Sequence, residues 1–276
     1  MTTIHVAHSP DSDDAFMFYA LASGKIDTEG LTYIHELQDI ETLNQRALRG
    51  ELEVTAVSIH AYAYLSDQYA LLPHGASMGD RYGPRLVARS PMTRSDIAGK
   101  RIAIPGMLTS AYLALRLFEP DFDPIVTPFD QIEQVVVDGK ADVGLLIHEG
   151  QLTYADNGLH LIQDLGDWWF GETGLPLPLG GNVIRKDLGE DMTRKISRHL
   201  HDSIAYGLEH RTAALDHSMQ FARGLERSKA DTFVGMYVND WTLDYGEKGR
   251  QAVRLFLERG VRAGLIKKPV TVEFVD

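Results

Sequence analysis

Five residues carry most of the chemistry this sequence offers. His148 and Glu149 arrive together after a short apolar run, Ala141–Ile147, that follows Gly139. Thr109 and Ser110 open an apolar helix pattern, and Ser58 closes the run Leu52–Val57. A histidine, with an ordinary pKa near 6.5, suits proton abstraction at neutral pH. Set against this is a structural histidine bonded to a backbone carbonyl. Glu149 would point away from His148 on an extended segment, so the two do not form a dyad. A helix start at Thr109–Ser110 can bind an anionic or hydroxylated ligand through its free N–H groups, beside ordinary N-capping. Ser58 could bond a ligand oxygen or cap a turn, and no G-x-S-x-G pattern marks it as a hydrolase nucleophile.

The segments that must position these groups alternate between strand and helix. A continuous apolar run such as Ala141–Ile147 predicts a strand buried on both faces, and ligands gather beyond the carboxyl edge of parallel strands. The chain reads as strand 4–7, helix 13–22, strand 31–37, helix 39–50 and strand 52–57, with Ser58 at the end. A second pass gives strand 101–104, a helix from Thr109, a strand beginning at Val126, helix 129–137 and the run into His148. Aligning Gly50 with Gly139 sets GELEVTAVSI over GKADVGLLIH, which places His148 one residue past the match to Ser58. Helices dominate from Asp191 onward, while Trp168–Leu179, rich in Pro and Gly, predicts irregular structure.

Two similar α/β lobes with two crossovers, expected near Pro84–Ser90 and Asn182–Ile184, describe a two-lobed, periplasmic-binding-protein-like (type II) fold. The first lobe is expected to hold residues 1–90 and 184–276, and the second 91–183, with a ligand cleft between them. Hinge closure is the expected motion.

Bulk properties narrow the partners. A net charge of -12 without a Lys/Arg stripe argues against nucleic acid, though a small-molecule carboxylate remains compatible. Without cysteine there is no thiolate metal site or thiol nucleophile. The histidines lack zinc-site spacing, and neither a Walker motif nor G-x-G-x-x-G occurs, so no metal and no cofactor are expected. The segment MTTIHVAHSPDSDDAF has no basic n-region and no apolar h-region, and no window is apolar enough to span a membrane. A cytoplasmic location is the expectation; oligomeric state is not readable. Asp11, Asp13 and Asp14 suit the positive end of a helix dipole and make that helix start a poor carboxylate site. Asn44 reads as a surface or capping residue, and Trp168, Trp169 and Tyr154 as core more readily than as a pocket wall.

Several blocks carry a family resemblance: HSPDSDDAFMFYAL (8–21), DIETLNQRALRG (39–50), GMLTSAYLAL (106–115), GLLIHEGQLTY (144–154), TGLPLPLGG (173–181) and YVNDWTLDYGEKG (237–249). Together they resemble the 1,4-dihydroxy-6-naphthoate synthase family of the futalosine route to menaquinone. That resemblance implies a lyase that converts cyclic de-hypoxanthine futalosine to 1,4-dihydroxy-6-naphthoate and releases a three-carbon dihydroxyketone. It implies His148 as proton acceptor and substrate contacts at Ala56, Val57, Ser58, Ser110 and Ala111. Thr109 joins them from its place at the helix start. The chain departs from the family pattern S-P-C-P-N-D, carrying Ser9-Pro10-Asp11-Ser12-Asp13-Asp14. It also lacks a basic residue in the 56–58 tripeptide. Chorismate dehydratase of the same pathway, which is expected to lack the I-H-E-G block, and a non-catalytic solute-binding protein are the alternatives.

Overall fold

The computed structural model describes residues 2–275. Eleven strands form two sheets among these residues: β1 (Thr2–His8), β2 (Leu31–Leu37), β3 (Val54–Ser58), β4 (Tyr69–Leu71), β5 (Ser77–Gly79), β6 (Arg85–Ala88), β7 (Arg101–Ile104), β8 (Asp123–Val126), β9 (Val143–Leu146), β10 (His160–Asp164) and β11 (Leu177–Arg185).

The first sheet runs β2-β1-β3-β11-β4, with β5 also on β11; the second runs β8-β7-β9-β6-β10. In each, three parallel strands are followed by an antiparallel one that arrives from the other lobe. The internal repeat is therefore a repeat of topology. The strands β3 and β9, buried along their whole length, are the third parallel strand of their respective sheets. Buried apolar runs fit such central positions.

Two strands sit in the sheet opposite to the one expected. β6 pairs with β9 and β10 in the second sheet, and β11 pairs with β3, β4 and β5 in the first. The chain thus crosses between Gly79 and Arg85 and again between Asp164 and Leu177, earlier than Pro84–Ser90 and Asn182–Ile184. Extended character alone does not say which edge a strand will join, because that depends on partners distant in sequence. The crossings touch: the Leu165 amide donates to the Pro84 carbonyl at 2.9 Å. A Cβ on Gly166 would lie 1.8 Å from the Tyr82 carbonyl oxygen, so only glycine allows this approach.

Further differences are local. The Pro- and Gly-rich stretch contains a helix, Leu165–Thr173, which the Asp164 carboxylate caps through the Gly166 and Asp167 amides. Gly174, at φ 70°, ends it. Trp169 on this helix is fully buried, and its indole N–H donates to the Pro176 carbonyl at 3.1 Å. Val126 ends β8 rather than beginning a strand, and Ser77–Gly79 is a short strand inside the expected loop. The long C-terminal helix Glu190–Glu209 presents Ile196, Leu200 and Ile204 to the core at helical spacing. Among the described residues no helix is long and apolar enough to cross a membrane.

Candidate active site

A cleft with an empty volume of about 750 Å³, including its open mouth, lies between the two sheets. The turn after β1 contributes Ser9 and Asp11, and the helix that follows contributes Asp13 and Asp14. The end of β3 contributes Ala56, Val57 and Ser58; β11 contributes Leu179–Asn182. From the second lobe come Thr109, Ser110 and Ala111 at a helix start, and Ile147, His148 and Gln151 beyond β9. Phe233 and Tyr237 close one side from a C-terminal helix. The structure brings all seven expected site residues into one cleft: Ala56, Val57, Ser58, Thr109, Ser110, Ala111 and His148.

His148 does not continue β9. Its backbone is left-handed, at φ 63°, which is costly for a side chain with a Cβ and turns the ring into the cleft wall. Its Nδ1 lies 2.9 Å from Asp11 Oδ2, and its Nε2 is buried without a hydrogen-bond partner among the described residues. The edge of Phe129 meets the ring at 4.4 Å between centroids. Burial alone would depress the imidazole's pKa, but the charge and hydrogen bond of Asp11 outweigh it and push the value up to about 9.

Asp11 is itself 1% exposed. Its burial favours the neutral acid, yet His148, Arg223 and Ser9 together lower its pKa to about 2. The imidazole is raised and the carboxyl lowered, so each favours its charged form and the two make a carboxylate–imidazolium pair. Arg223 reaches Asp11 Oδ1 at 2.6 Å as a charge contact rather than an aligned hydrogen bond. The same guanidinium lies 3.4 Å from Glu149 Oε2. Glu149 thus turns from His148 towards Arg223. Asp13 and Asp14 are pushed the other way. Burial and the charge of Asp11 raise Asp13 to about 7, and burial with the Asp13 charge raises Asp14 well above the carboxylate range.

The expected oxygen-binding groups divide by role. Thr109 Oγ1 accepts from the Tyr112 amide and donates to the Gly106 carbonyl, so its hydroxyl is a helix cap. Ser110 Oγ accepts the His60 amide of the first lobe at 3.1 Å. Ser58 Oγ accepts from Asn44 Nδ2 at 3.1 Å, while the Ser58 amide donates to Asn44 Oδ1 at 2.9 Å. Both serines are held as acceptors, so each keeps its own O–H to donate. The first amides of a helix have no intrahelical partner, which leaves those of Ser110 and Ala111 available beside the two hydroxyls. This face of the cleft suits a carboxylate or a carbonyl oxygen.

Among the groups that hold the expected site residues in place, three were not expected. Asp11 lay in a turn read as dipole complement. Asn44 is fully buried and clamps Ser58, and its i, i+3 spacing to the buried Ala47 was the available signal. Arg223 comes from an irregular segment between helices, where no local pattern marks it. Trp168, Trp169 and Tyr154 do not line the cleft; its aromatic side is built from Phe233 and Tyr237.

Comparison with known proteins gives a consistent picture. The menaquinone biosynthesis family matches residues 4–262. A 1,4-dihydroxy-6-naphthoate synthase of Thermus thermophilus is 40% identical over 263 residues, covering 95% of this chain and 96% of that one. Another from Streptomyces coelicolor is 36% identical over 270 residues, covering 96% and 95%. A crystal structure of an Archaeoglobus fulgidus protein superposes with a TM-score of 0.92 at 49% identity, covering 96% of this chain and 98% of that one. The alkanesulfonate-binding protein of Xanthomonas axonopodis pv. citri has a TM-score of 0.72 at 11% identity, covering 99% and 96%. At that identity it speaks for the periplasmic-binding-protein-like fold alone. Matched over nearly its whole length, the chain belongs to the menaquinone biosynthesis family that includes the 1,4-dihydroxy-6-naphthoate synthases.

Proposed function

We propose that this protein is a carbon–carbon lyase that converts cyclic de-hypoxanthine futalosine to 1,4-dihydroxy-6-naphthoate, with His148 as proton acceptor. The observation that carries this reading is near full-length likeness to two named synthases, in a chain whose cleft sets one histidine among oxygen-binding groups. The substrate is a small-molecule carboxylate. Its carboxylate oxygens fit the Ser58 and Ser110 hydroxyls, each of which keeps an O–H to donate.

The reaction is of retro-aldol type. A base takes a hydroxyl proton, the O–H electrons form a carbonyl, and the adjacent carbon–carbon bond breaks. The released pair moves onto an oxygen-bearing acceptor, and aromatisation follows. His148 Nε2 takes the proton while Nδ1 remains tied to Asp11. The free amides at the start of the helix Ser110–Phe118 donate to the oxygen that gains charge, an interaction that strengthens in a water-poor site. Contacts between the lobes, including the Ser110 bond to the His60 amide, favour the closed cleft that excludes water.

The imidazole's pKa of about 9 has a kinetic consequence. At pH 7 roughly 1% of the rings are neutral, so kcat/KM should rise about tenfold per pH unit before levelling near 9. The test is to incubate the protein with cyclic de-hypoxanthine futalosine and follow naphthoate by absorbance and mass. Formation of naphthoate is expected. No product, with loss of water from chorismate instead, would overturn the assignment.

A further inference from the structure

Three side chains distant in sequence converge behind the reactive face of the cleft. Asp11 follows β1, His148 follows β9, and Arg223 lies between the helices Arg211–Ser218 and Arg227–Tyr237. The Asp11 carboxylate is shared between them, with Oδ2 at 2.9 Å from His148 and Oδ1 at 2.6 Å from Arg223. The Arg223 guanidinium also sits 4.5 Å from the centre of the Phe129 ring, whose edge abuts His148. Both His148 and Arg223 adopt left-handed backbones, at φ 63° and 49°. Two such residues converging on one buried carboxylate mark a place where local strain is tolerated for an arrangement of side chains.

We propose that Asp11 and Arg223 are positioning residues for His148, Asp11 gripping the ring at Nδ1 while Arg223 opposes Asp11's charge from its other oxygen, so that Nε2 is presented to the ligand. An imidazole that donates Nδ1–H to a carboxylate holds its lone pair on Nε2, the tautomer a proton acceptor needs. Without Arg223, the carboxylate would hold the second ring proton more tightly. Without Asp11, the ring would be free to turn, and burial would favour its neutral form.

The charged surroundings of the ring are few. Asp11, Asp13 and Asp14 face it from the first turn and helix, Glu149 lies next to it in sequence with its carboxylate turned to Arg223, and Arg223 comes from the C-terminal part. The segment carrying Phe129 brings an aromatic edge, its Asp130 being exposed. From the helix Arg227–Tyr237, the Tyr237 hydroxyl is paired with Gln151 at 2.7 Å. Asp11 is the carboxylate in contact with the ring, and Arg223 the cation in contact with Asp11.

Asp11→Asn and Arg223→Gln should therefore move the histidine in opposite directions. NMR of histidine-labelled protein, free of ligand, reads the titration midpoint of His148 directly. Relative to wild type, Asp11→Asn is expected to lower it by about 2 pH units or more, and Arg223→Gln to raise it by about 0.5–1. Arg223 is partly exposed, so its variant keeps the test alive should Asp11→Asn not fold. The acid limb of kcat/KM for naphthoate formation should follow the same two directions, with KM changing less than about threefold. That kinetic arm rests on the lyase reading; the NMR arm does not. Midpoints that stay fixed in both variants, or move the same way, overturn the positioning role. Opposite shifts in a protein that makes no naphthoate would uphold the positioning role and overturn the proposed reaction.

Discussion

Replacing Asn44 tests how the cleft holds its oxygen-binding face. Asn44 is fully buried and spends both ends of its amide on Ser58, accepting from the Ser58 amide and donating to Ser58 Oγ. Only an oxygen can accept from that amide, which fixes the orientation of the side chain. In Asn44→Ala the Ser58 N–H is left buried without a partner, at a cost of about 1–3 kcal/mol. The hydroxyl also loses a donor, and the truncation leaves a small void, so the total should be about 2–4 kcal/mol. Asn44→Asp separates stability from binding. Its carboxylate still accepts from the Ser58 amide but has no N–H for Ser58 Oγ. The hydroxyl then turns and gives its proton to the introduced carboxylate, away from the ligand. Urea denaturation should show a large loss for the alanine variant and a smaller one for the aspartate. Steady-state kinetics should show KM raised about tenfold or more in both, the range set by one hydrogen bond to a charged group. An Asn44→Asp enzyme with an unchanged KM would refute the idea that the Ser58 proton is reserved for the ligand.

Three other outcomes follow from the same geometry. Gly166→Ala drives a Cβ into the Tyr82 carbonyl where the crossings touch, and should lower stability by more than about 3 kcal/mol in denaturant titration. Ser110→Ala removes one donor and the acceptor for the His60 amide, so KM should rise severalfold while kcat falls less. For pH, the stability difference between wild type and His148→Gln isolates the His148–Asp11 pair. The folded pKa of His148 is raised from 6.5 to about 9, so the pair's contribution is fully present below 6.5 and is lost as pH rises through 9. That contribution is worth up to about 3 kcal/mol, and a difference that grows with pH across this window would contradict the pairing.

Much of this site was legible in the sequence, and the misses have physical causes. His148, Ser58 and the Thr109–Ser110 helix start were visible because each ends or begins a regular element, and α/β sheets gather ligands at those ends; Ala56, Val57 and Ala111 came only from the family resemblance. The repeat of strand order was visible for the same reason: it is local pattern used twice. What pairs with what was not visible. β6 and β11 exchange lobes through antiparallel contacts that no neighbouring residue encodes. Asp11 looked like a helix-dipole aspartate because it does precede a helix; its contact with His148 depends on two lobes meeting. Arg223 has no periodic context at all, being held in a turn between helices. Thr109 was read both as a helix cap and as a cleft residue, and it lines the cleft with its hydroxyl committed to capping.

The proton-acceptor role of His148 is tested most directly by single-turnover assay of wild type and His148→Asn with cyclic de-hypoxanthine futalosine. Mass detection of both the naphthoate and the three-carbon fragment reports cleavage at its products. Wild type should release both in equal amounts. His148→Asn, which keeps much of the ring's size and polarity, should bind substrate and release neither beyond about one part in 10² to 10⁴ of the wild-type rate, the usual yield of general base catalysis. A His148→Asn protein that cleaves at the wild-type rate would contradict the account at its centre.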